Sequence, residues 1–319
     1  MKYLLLLSLL LLVPGGTSLA QTGLSVGGES LSIVLDPLFP TPESKFTATA
    51  DDYALPSQGN SIRWYVDGKL LTESANKREI TLTAKKVGVP TTIELVVGLN
   101  GGASASVKKV VNPAYLDLII EPQTRIPSFY KGRALPSVGS LTNVTAIINA
   151  GEVTPANLMY NWRLNGKALE NGSVRGRNNI TFAMPQGPYA TLSLEVTTLS
   201  GEVIARRIFD IQSLTPTLSF YEMSTLYGLR EKSVGGGLSL IGNSVTVKAE
   251  PYYLDLRTYN YPDLTEWRIN GLLNDNNSNN PYEITLANGG GGGIGSADFH
   301  VRDTTQLLQG ARANFQINF

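Results

Sequence analysis

Apolar and polar residues alternate in many short runs of this chain, and Gly, Pro and Asn separate the runs. Three examples are SKFTATA (from Ser44), TLSLEVTT (from Thr191) and NSVTVKAE (from Asn243). Such alternation puts successive side chains on opposite faces of an extended backbone, so it predicts β-strands. Helical spacing is hard to find after the first twenty residues. The pattern predicts an all-β protein.

A tryptophan motif occurs three times at domain-sized intervals. Trp64, Trp162 and Trp267 lie 98 and 105 residues apart, and each begins the motif Trp-x-aliphatic-Asp/Asn-Gly. An Ile-Thr pair follows each Trp after 16 to 18 residues. These pairs begin at Ile80, Ile180 and Ile284. Three diverged copies of one domain explain the repeats.

About seven strands in about a hundred residues, with a central Trp, predict an immunoglobulin-like β-sandwich. We therefore expect three tandem sandwiches, at residues 21–113, 114–214 and 215–319, after a signal peptide at residues 1–20. The connections near residues 112–115 and 213–216 are short and contain Pro. Such linkers predict a semi-rigid string of domains.

We interpret the repeated motif as a buried core residue followed by a tight turn. The three tryptophans are expected to fill the gap between the two sheets, and the residue after each is expected to point outward. Asp or Asn followed by Gly then supplies the positive φ angles of a tight turn. These pairs are Asp67-Gly68, Asn165-Gly166 and Asn270-Gly271. A ligand-facing Trp is the less favoured alternative.

The stretches RWYVDGK, NWRLNGK and EWRINGL resemble bacterial immunoglobulin-like and PKD-like modules, which occur in tandem on surface proteins. The chain lacks the Gly-Asp-Gly continuation of PKD domains and the Cys pair of antibody-type domains. The resemblance implies a spacer, adhesive or assembly role. It implies no catalytic residues.

The first twenty residues have the features of a signal peptide. Lys2 precedes an apolar run from Leu4 to Val13, and a small-residue site ends at Ala20. We expect cleavage after Ala20, export, and a mature chain without a transmembrane segment. The sequence contains 0 Cys, which in an exported protein favours a bacterial source. The expected location is the periplasm or the cell surface.

Composition argues against nucleic acid as a partner and against most catalytic chemistry. Lys and Arg number 26, as do Asp and Glu, so no net charge attracts a polyanion. His300 is the single histidine, and it is expected to point away from the core between Phe299 and Val301. Without Cys, thiol nucleophiles and most zinc sites are excluded. We expect a non-enzyme; a carboxylate-based envelope hydrolase is a distant alternative.

Two unusual loops are candidate ligand sites. The glycine run from Asn288 lacks the Gly-Lys-Ser/Thr ending of a phosphate loop, so we interpret it as a flexible loop. The run NDNNSNN, from Asn274, lacks the spaced carboxylates of a calcium loop. We predict no cofactor; calcium in this loop or at domain junctions is a secondary alternative.

The copies differ in loop length, and function is sought there. The first inter-strand connection is long in the second copy (residues 123–140) and in the third (residues 223–243), and the third copy has an insertion before its Trp. The candidate partner-binding residues of this insertion are Tyr252, Tyr253, Arg257, Tyr259 and Tyr261. Their composition suits a protein or glycan surface. Alternatively, they cover an edge of their own sandwich or its interface with the second.

These observations favour an exported binding or assembly module of the bacterial envelope, active in adhesion or protein–protein interaction. A purely structural spacer or filament component is the alternative.

Overall fold

A computed structural model describes residues 31–51, 61–98, 102, 104–235, 237–275, 278–290, 292–306 and 308–319, without the side chain of residue 171. The predicted signal peptide lies outside these residues. The chain forms two compact units. One contains most of the first sandwich, and the other contains residues 111–319 with two short segments, 36–46 and 83–91. In the described ranges, no helix has the length and apolarity needed to cross a membrane.

The first sandwich has two sheets among its described residues. Its strands are β1 (Ser32–Asp36), β2 (Lys45–Asp51), β3 (Ser61–Val66), β4 (Lys69–Leu70), β5 (Glu79–Thr83), β6 (Thr91–Gly98) and β7 (Ser104–Val111). One sheet has the order β1-β2-β5 and the other β4-β3-β6-β7. A 3-10 turn, Thr72–Ser74, follows β4.

The second sandwich repeats this arrangement. Its strands are β8 (Tyr115–Pro122), β9 (Leu141–Asn149), β10 (Met159–Leu164), β11 (Lys167–Arg175), β12 (Asn179–Ala183), β13 (Tyr189–Thr197) and β14 (Val203–Gln212). The sheets are β12-β9-β8 and β11-β10-β13-β14. A 3-10 turn, Pro155–Asn157, precedes β10. Burial alternates along β13 as the sequence pattern predicts.

The third sandwich is larger than predicted. Its strands are β15 (Thr217–Ser224), β16 (Gly228–Ser233), β17 (Gly237–Ser239), β18 (Ser244–Tyr252), β19 (Leu264–Ile269), β20 (Leu272–Asn274), β21 (Glu283–Ala287), β22 (Ile294–Arg302) and β23 (Gly310–Asn318). The sheets are β16-β15-β18-β21 and β17-β23-β22-β19-β20.

One expectation about the third copy was wrong. Its first connection, residues 223–243, is not a long loop, because β16 extends one sheet and β17 pairs in parallel with β23 in the other. The insertion before Trp267 holds the helix α1 (Leu256–Asn260). Asp255 caps α1 through a hydrogen bond from the backbone N–H of Arg257.

Each sandwich buries its tryptophan. The exposed fractions of Trp64, Trp162 and Trp267 are 0%, 1% and 2%. Each indole Nε1–H donates to the carbonyl three residues before the Ile-Thr pair, so burial leaves no unpaired donor. The acceptors are Lys77, Arg177 and Pro281. The second and third cores collect residues from both of their sheets.

The Asp/Asn-Gly pairs form the predicted tight turns. Asn165 and Gly166 have φ angles of 48° and 76°, and the equivalent residues of the other copies are also positive. In addition, Asn165 clamps the neighbouring strand, because its N–H donates to Thr191 O and its Oδ1 accepts from Thr191 N at 2.9 Å. Asp67 and Asn270 make the same pair of bonds. The three copies therefore share one hydrogen-bond skeleton.

Candidate functional site

The insertion of the third sandwich faces the second sandwich rather than lying open. Tyr252 ends β18, Tyr253 follows it with φ of 62°, and Arg257 and Tyr259 belong to α1. Each of these four residues contacts a residue of the 123–140 connection. Tyr261, just after α1, is 85% exposed. We call the set of contacts between the 123–140 connection and the third sandwich the junction.

The junction begins with backbone hydrogen bonds between the two sandwiches. Arg125 N donates to Leu254 O at 2.7 Å, and Tyr253 N donates to Arg125 O at 2.7 Å. Leu256 N donates to Gln123 O at 3.0 Å. These bonds run beside an antiparallel bridge between Thr124 and Asp255. They hold Tyr253 in its left-handed conformation, which is uncommon for a residue other than Gly.

A buried carboxylate lies beneath this bridge. Glu250 lies on the face of β18 opposite the core residue Ala249, yet it is only 1% exposed because the 123–140 connection covers it. Arg125 Nη2 binds both carboxylate oxygens, at 3.0 and 3.3 Å. Lys248 Nζ lies 2.8 Å from Oε1. Two cations, one from each sandwich, therefore compensate a single buried charge.

A second buried carboxylate orders the start of α1. Asp255, 1% exposed, accepts hydrogen bonds from the backbone N–H and the guanidinium of Arg257. Its Oδ2 also accepts from Leu141 N, across the junction, at 2.9 Å. Arg257 reaches across as well, donating to Gly139 O at 3.2 Å. The hydrogen bond and charge of Asp255 raise the pKa of Arg257.

A buried glutamine completes the polar contacts. Gln309 is 0% exposed, and its Oε1 accepts from Asp255 N at 2.9 Å. Its Nε2 donates to Ser137 Oγ at 2.9 Å and to Val138 O. The amide oxygen is thus used within the third sandwich, and the amide nitrogen binds the second. A side chain with fewer hydrogen-bonding groups would leave buried atoms unpaired.

Aromatic rings cover the outer side of the junction. Tyr130 packs edge-on against Tyr252, with ring centroids 5.4 Å apart, and its hydroxyl shares a 2.9 Å hydrogen bond with Tyr253. Phe129 packs edge-on against Tyr221, whose hydroxyl bonds to that of Tyr252. The bond to Tyr130 raises the pKa of Tyr253 to about 12. Burial and the bond to Tyr221 raise that of Tyr252.

Tyr259 connects the ion pair to the third core. The guanidinium carbon of Arg125 lies 4.6 Å from the Tyr259 ring centroid, a cation–π geometry. Tyr259 also stacks on Tyr282, with ring centroids 4.7 Å apart. The Tyr282 hydroxyl donates to Tyr259 O at 2.8 Å, and burial raises the pKa of this hydroxyl.

The remaining sequence candidates lie elsewhere. His300 points away from the core as expected and is 4.0 Å from Glu266. Burial, with Arg302 and Arg312, lowers its pKa. The NDNNSNN run includes residues 276 and 277, and the glycine run includes residue 291, all outside the described residues. Within the described ranges, His, Asp and Glu form no group of three that could hold a metal ion.

Sequence reasoning missed the second-sandwich half of the junction and the residues beneath it. The missed residues are Arg125, Phe129, Tyr130, Ser137, Glu250, Asp255 and Gln309. One signal was available: the 123–140 connection and the insertion are both long, and both are rich in aromatic and charged residues. When two consecutive copies each contain a lengthened segment, the two segments are expected to contact each other.

Comparisons with known proteins yield structural neighbours only. No family model matches the chain. No curated protein matches it. Among solved structures, one neighbour is the three N-terminal domains of the bacteriophage RB49 Highly Immunogenic Outer Capsid protein, at 13% identity and a TM-score of 0.26. The match covers 91% of this chain and 98% of that one.

Two further solved structures are similar at comparable identity. The central fibronectin-III array of RIM-binding protein is 12% identical, with a TM-score of 0.29, and 91% of this chain and 96% of that chain are covered. A Bacteroides ovatus SGBP-B in complex with a mixed-linkage heptasaccharide is 13% identical, with a TM-score of 0.24. That match covers 91% of this chain and 70% of the other. These similarities are too low to indicate a shared function.

Proposed function

We propose that this chain is an exported, non-enzymatic module of a bacterial envelope that binds and positions a protein or glycan partner. The observation that supports the proposal most is the junction. Its buried ion pair, amide network and aromatic cover fix the third sandwich against the second. A fixed joint suits a protein that presents a surface at a set orientation, as the resemblance to tandem bacterial surface modules also implies. The boundaries at residues 113/114 and 214/215 are part of this proposal.

Tyr261 is the residue we assign to partner contact, together with the exposed edges of Tyr130 and Tyr253. Tyr261 is 85% exposed directly beside the junction. An exposed tyrosine supplies both an apolar ring and a hydroxyl, a combination common in protein and sugar recognition. Tyr252, Tyr259 and Arg257 contribute by holding this surface in place.

The test is capture of envelope proteins and glycans by the chain and by two matched variants. Tyr261→Ser should reduce capture, whereas Tyr115→Ser should not, because Tyr115 is 46% exposed on β8 of the second sandwich. Equal capture by both variants would rule out Tyr261 as the contact. Cell fractionation and N-terminal sequencing test export, with Gln21 expected as the first residue.

A structural spacer is the second candidate, because most of the residues first assigned to a partner make contacts within the chain itself. This function predicts loss of envelope or filament integrity on deletion. It also predicts that no partner is captured in a manner that depends on Tyr261.

A further inference from the structure

The segment before the second strand has the same backbone form in every sandwich. A residue of positive φ is followed by one whose carbonyl accepts a hydrogen bond from the end of the Ile-Thr strand. The positive-φ residues are Glu43, Gly139 and Gly242, and the acceptors are Ser44, Ser140 and Asn243. Residues 138–140 of the second sandwich are therefore equivalent to residues 241–243 of the third.

The residues just before this segment are equivalent as well. Ser137 forms a parallel bridge with Leu214, at the end of the second sandwich. In the third sandwich, β17 pairs in parallel with the last strand, β23. Both segments thus lie at the same end of their sandwich, the end at which its first strand finishes.

In the second sandwich, the third sandwich covers this segment. Val138 O accepts from Gln309, and Gly139 O accepts from Arg257. Ser140 is 0% exposed. The third sandwich therefore binds the second by covering this end of it.

In the third sandwich, the equivalent segment is open within the described residues. Ile241, which corresponds to Val138, is 94% exposed, and Gly242 and Asn243 are exposed too. Ile294, 77% exposed, starts β22 and pairs with Asn318, whose carbonyl accepts from Leu240 N. Ile294 and Ile241 therefore lie at the same end of this sheet, on opposite sides of β23.

More apolar surface lies at this end. Leu226 and Tyr227, each 83% exposed, form the turn between β15 and β16. Because Met223 pairs with Thr246, close to the start of β18, this turn reaches the same end as Ile241. We call Leu226, Tyr227, Ile241 and Ile294 the open end. Large exposed apolar groups at one end of a domain indicate a contact surface.

We propose that the open end binds the first sandwich of a second copy of this chain, because the third-sandwich surface that covers residues 138–140 is already occupied within each chain. The interface within the chain shows that a sandwich of this kind is a suitable occupant. The net charge of +0 means that copies do not repel each other at long range. A contact between unlike surfaces does not close by symmetry, so copies would add end to end. The inference rests on the proposed assembly function and names its partner.

The test is sedimentation velocity of the full chain over a wide concentration range. We expect the mean mass to rise with concentration without stopping at a dimer. Ile241→Glu places a carboxylate in the contact and should weaken association about tenfold or more. The matched control is Ile208→Glu on β14, where Ile208 is 62% exposed. It should associate like the parent chain, and both variants should keep the parent's unfolding midpoint.

A chain that stays monomeric at all concentrations would overturn the inference, as would equal weakening by the two variants. A mass that stops at the dimer would overturn the end-to-end arrangement. Tyr261→Ser keeps this failure distinct from failure of the proposed partner contact, because it should reduce capture while leaving self-association unchanged.

Discussion

Exchanging Arg125 for Met should open the junction, and the size of the effect follows from the burial of its partner. Glu250 is 1% exposed and is bound by Arg125 and by Lys248. Removing one partner of a buried ion pair costs about 3–5 kcal/mol. Lys248 stays in place and Arg125 is 26% exposed, so the cost should fall below that range, at about 2–3 kcal/mol. The lost cation–π contact with Tyr259 adds about 0.5–1 kcal/mol.

A double-mutant cycle separates this interaction from general damage. Arg125→Met, Glu250→Gln and the double variant should give a coupling free energy of about 1.5–3 kcal/mol. Hydrogen–deuterium exchange of the peptides around residues 123–130 and 248–257 is the assay, because it measures local opening in a multidomain chain that need not unfold in one step.

An exposed ion pair on the second sandwich provides the control cycle. Arg206 and Glu195 face each other across β14 and β13, and their side chains are 47% and 30% exposed. Exposed pairs contribute about 0.2–1 kcal/mol. If the coupling between Arg125 and Glu250 is no larger than that of the control, burial by the 123–140 connection does not strengthen the pair, and the reasoning fails.

Three further predictions concern single sandwiches. Gly172→Ala should destabilise the second sandwich by about 1–3 kcal/mol in urea denaturation, because a Cβ would lie 2.9 Å from the carbonyl oxygen of Trp162; Gly289→Ala in the third sandwich, with open space around it and no positive φ, should cost less. Asn165→Ala should cost about 1–2 kcal/mol by removing the clamp on β13, whereas Asn165→Asp should be close to neutral since the first copy uses Asp there; equal losses would contradict the clamp. His300 should titrate below 6.5 in an NMR pH series; since its folded-state pKa is lowered, its contribution to stability is present above that pH and is lost as the pH falls through the folded-state pKa.

The parts of the fold that depend on neighbouring residues could be predicted from sequence. Alternation gives the strands, and the Asp/Asn-Gly pairs give the turns, because both depend on local backbone geometry. β16 was missed for a physical reason: it is an edge strand with the sequence GLREKS, exposed along almost its whole length. Charged edge strands discourage pairing with other chains and carry no alternating pattern.

The junction could not be predicted in the same way, because its partners are distant in sequence. Arg125 and Glu250 are separated by 125 positions, and Gln309 and Ser137 by 172. Glu250 looks like an ordinary outward-facing strand residue until another sandwich covers it. Tyrosine composition alone cannot say whether a ring meets a foreign partner or a neighbouring part of the same chain.

The two segments of the junction fit only each other, and this restricts how the gene could change by recombination. The long connection of the second sandwich and the insertion of the third fit each other and have no equivalent pair in the first copy's short connection. Exchanging the order of the copies, or deleting the second, would strip the cover from Glu250 and Tyr221. The second and third copies are therefore position-specific parts, and duplications that insert between them should be selected against.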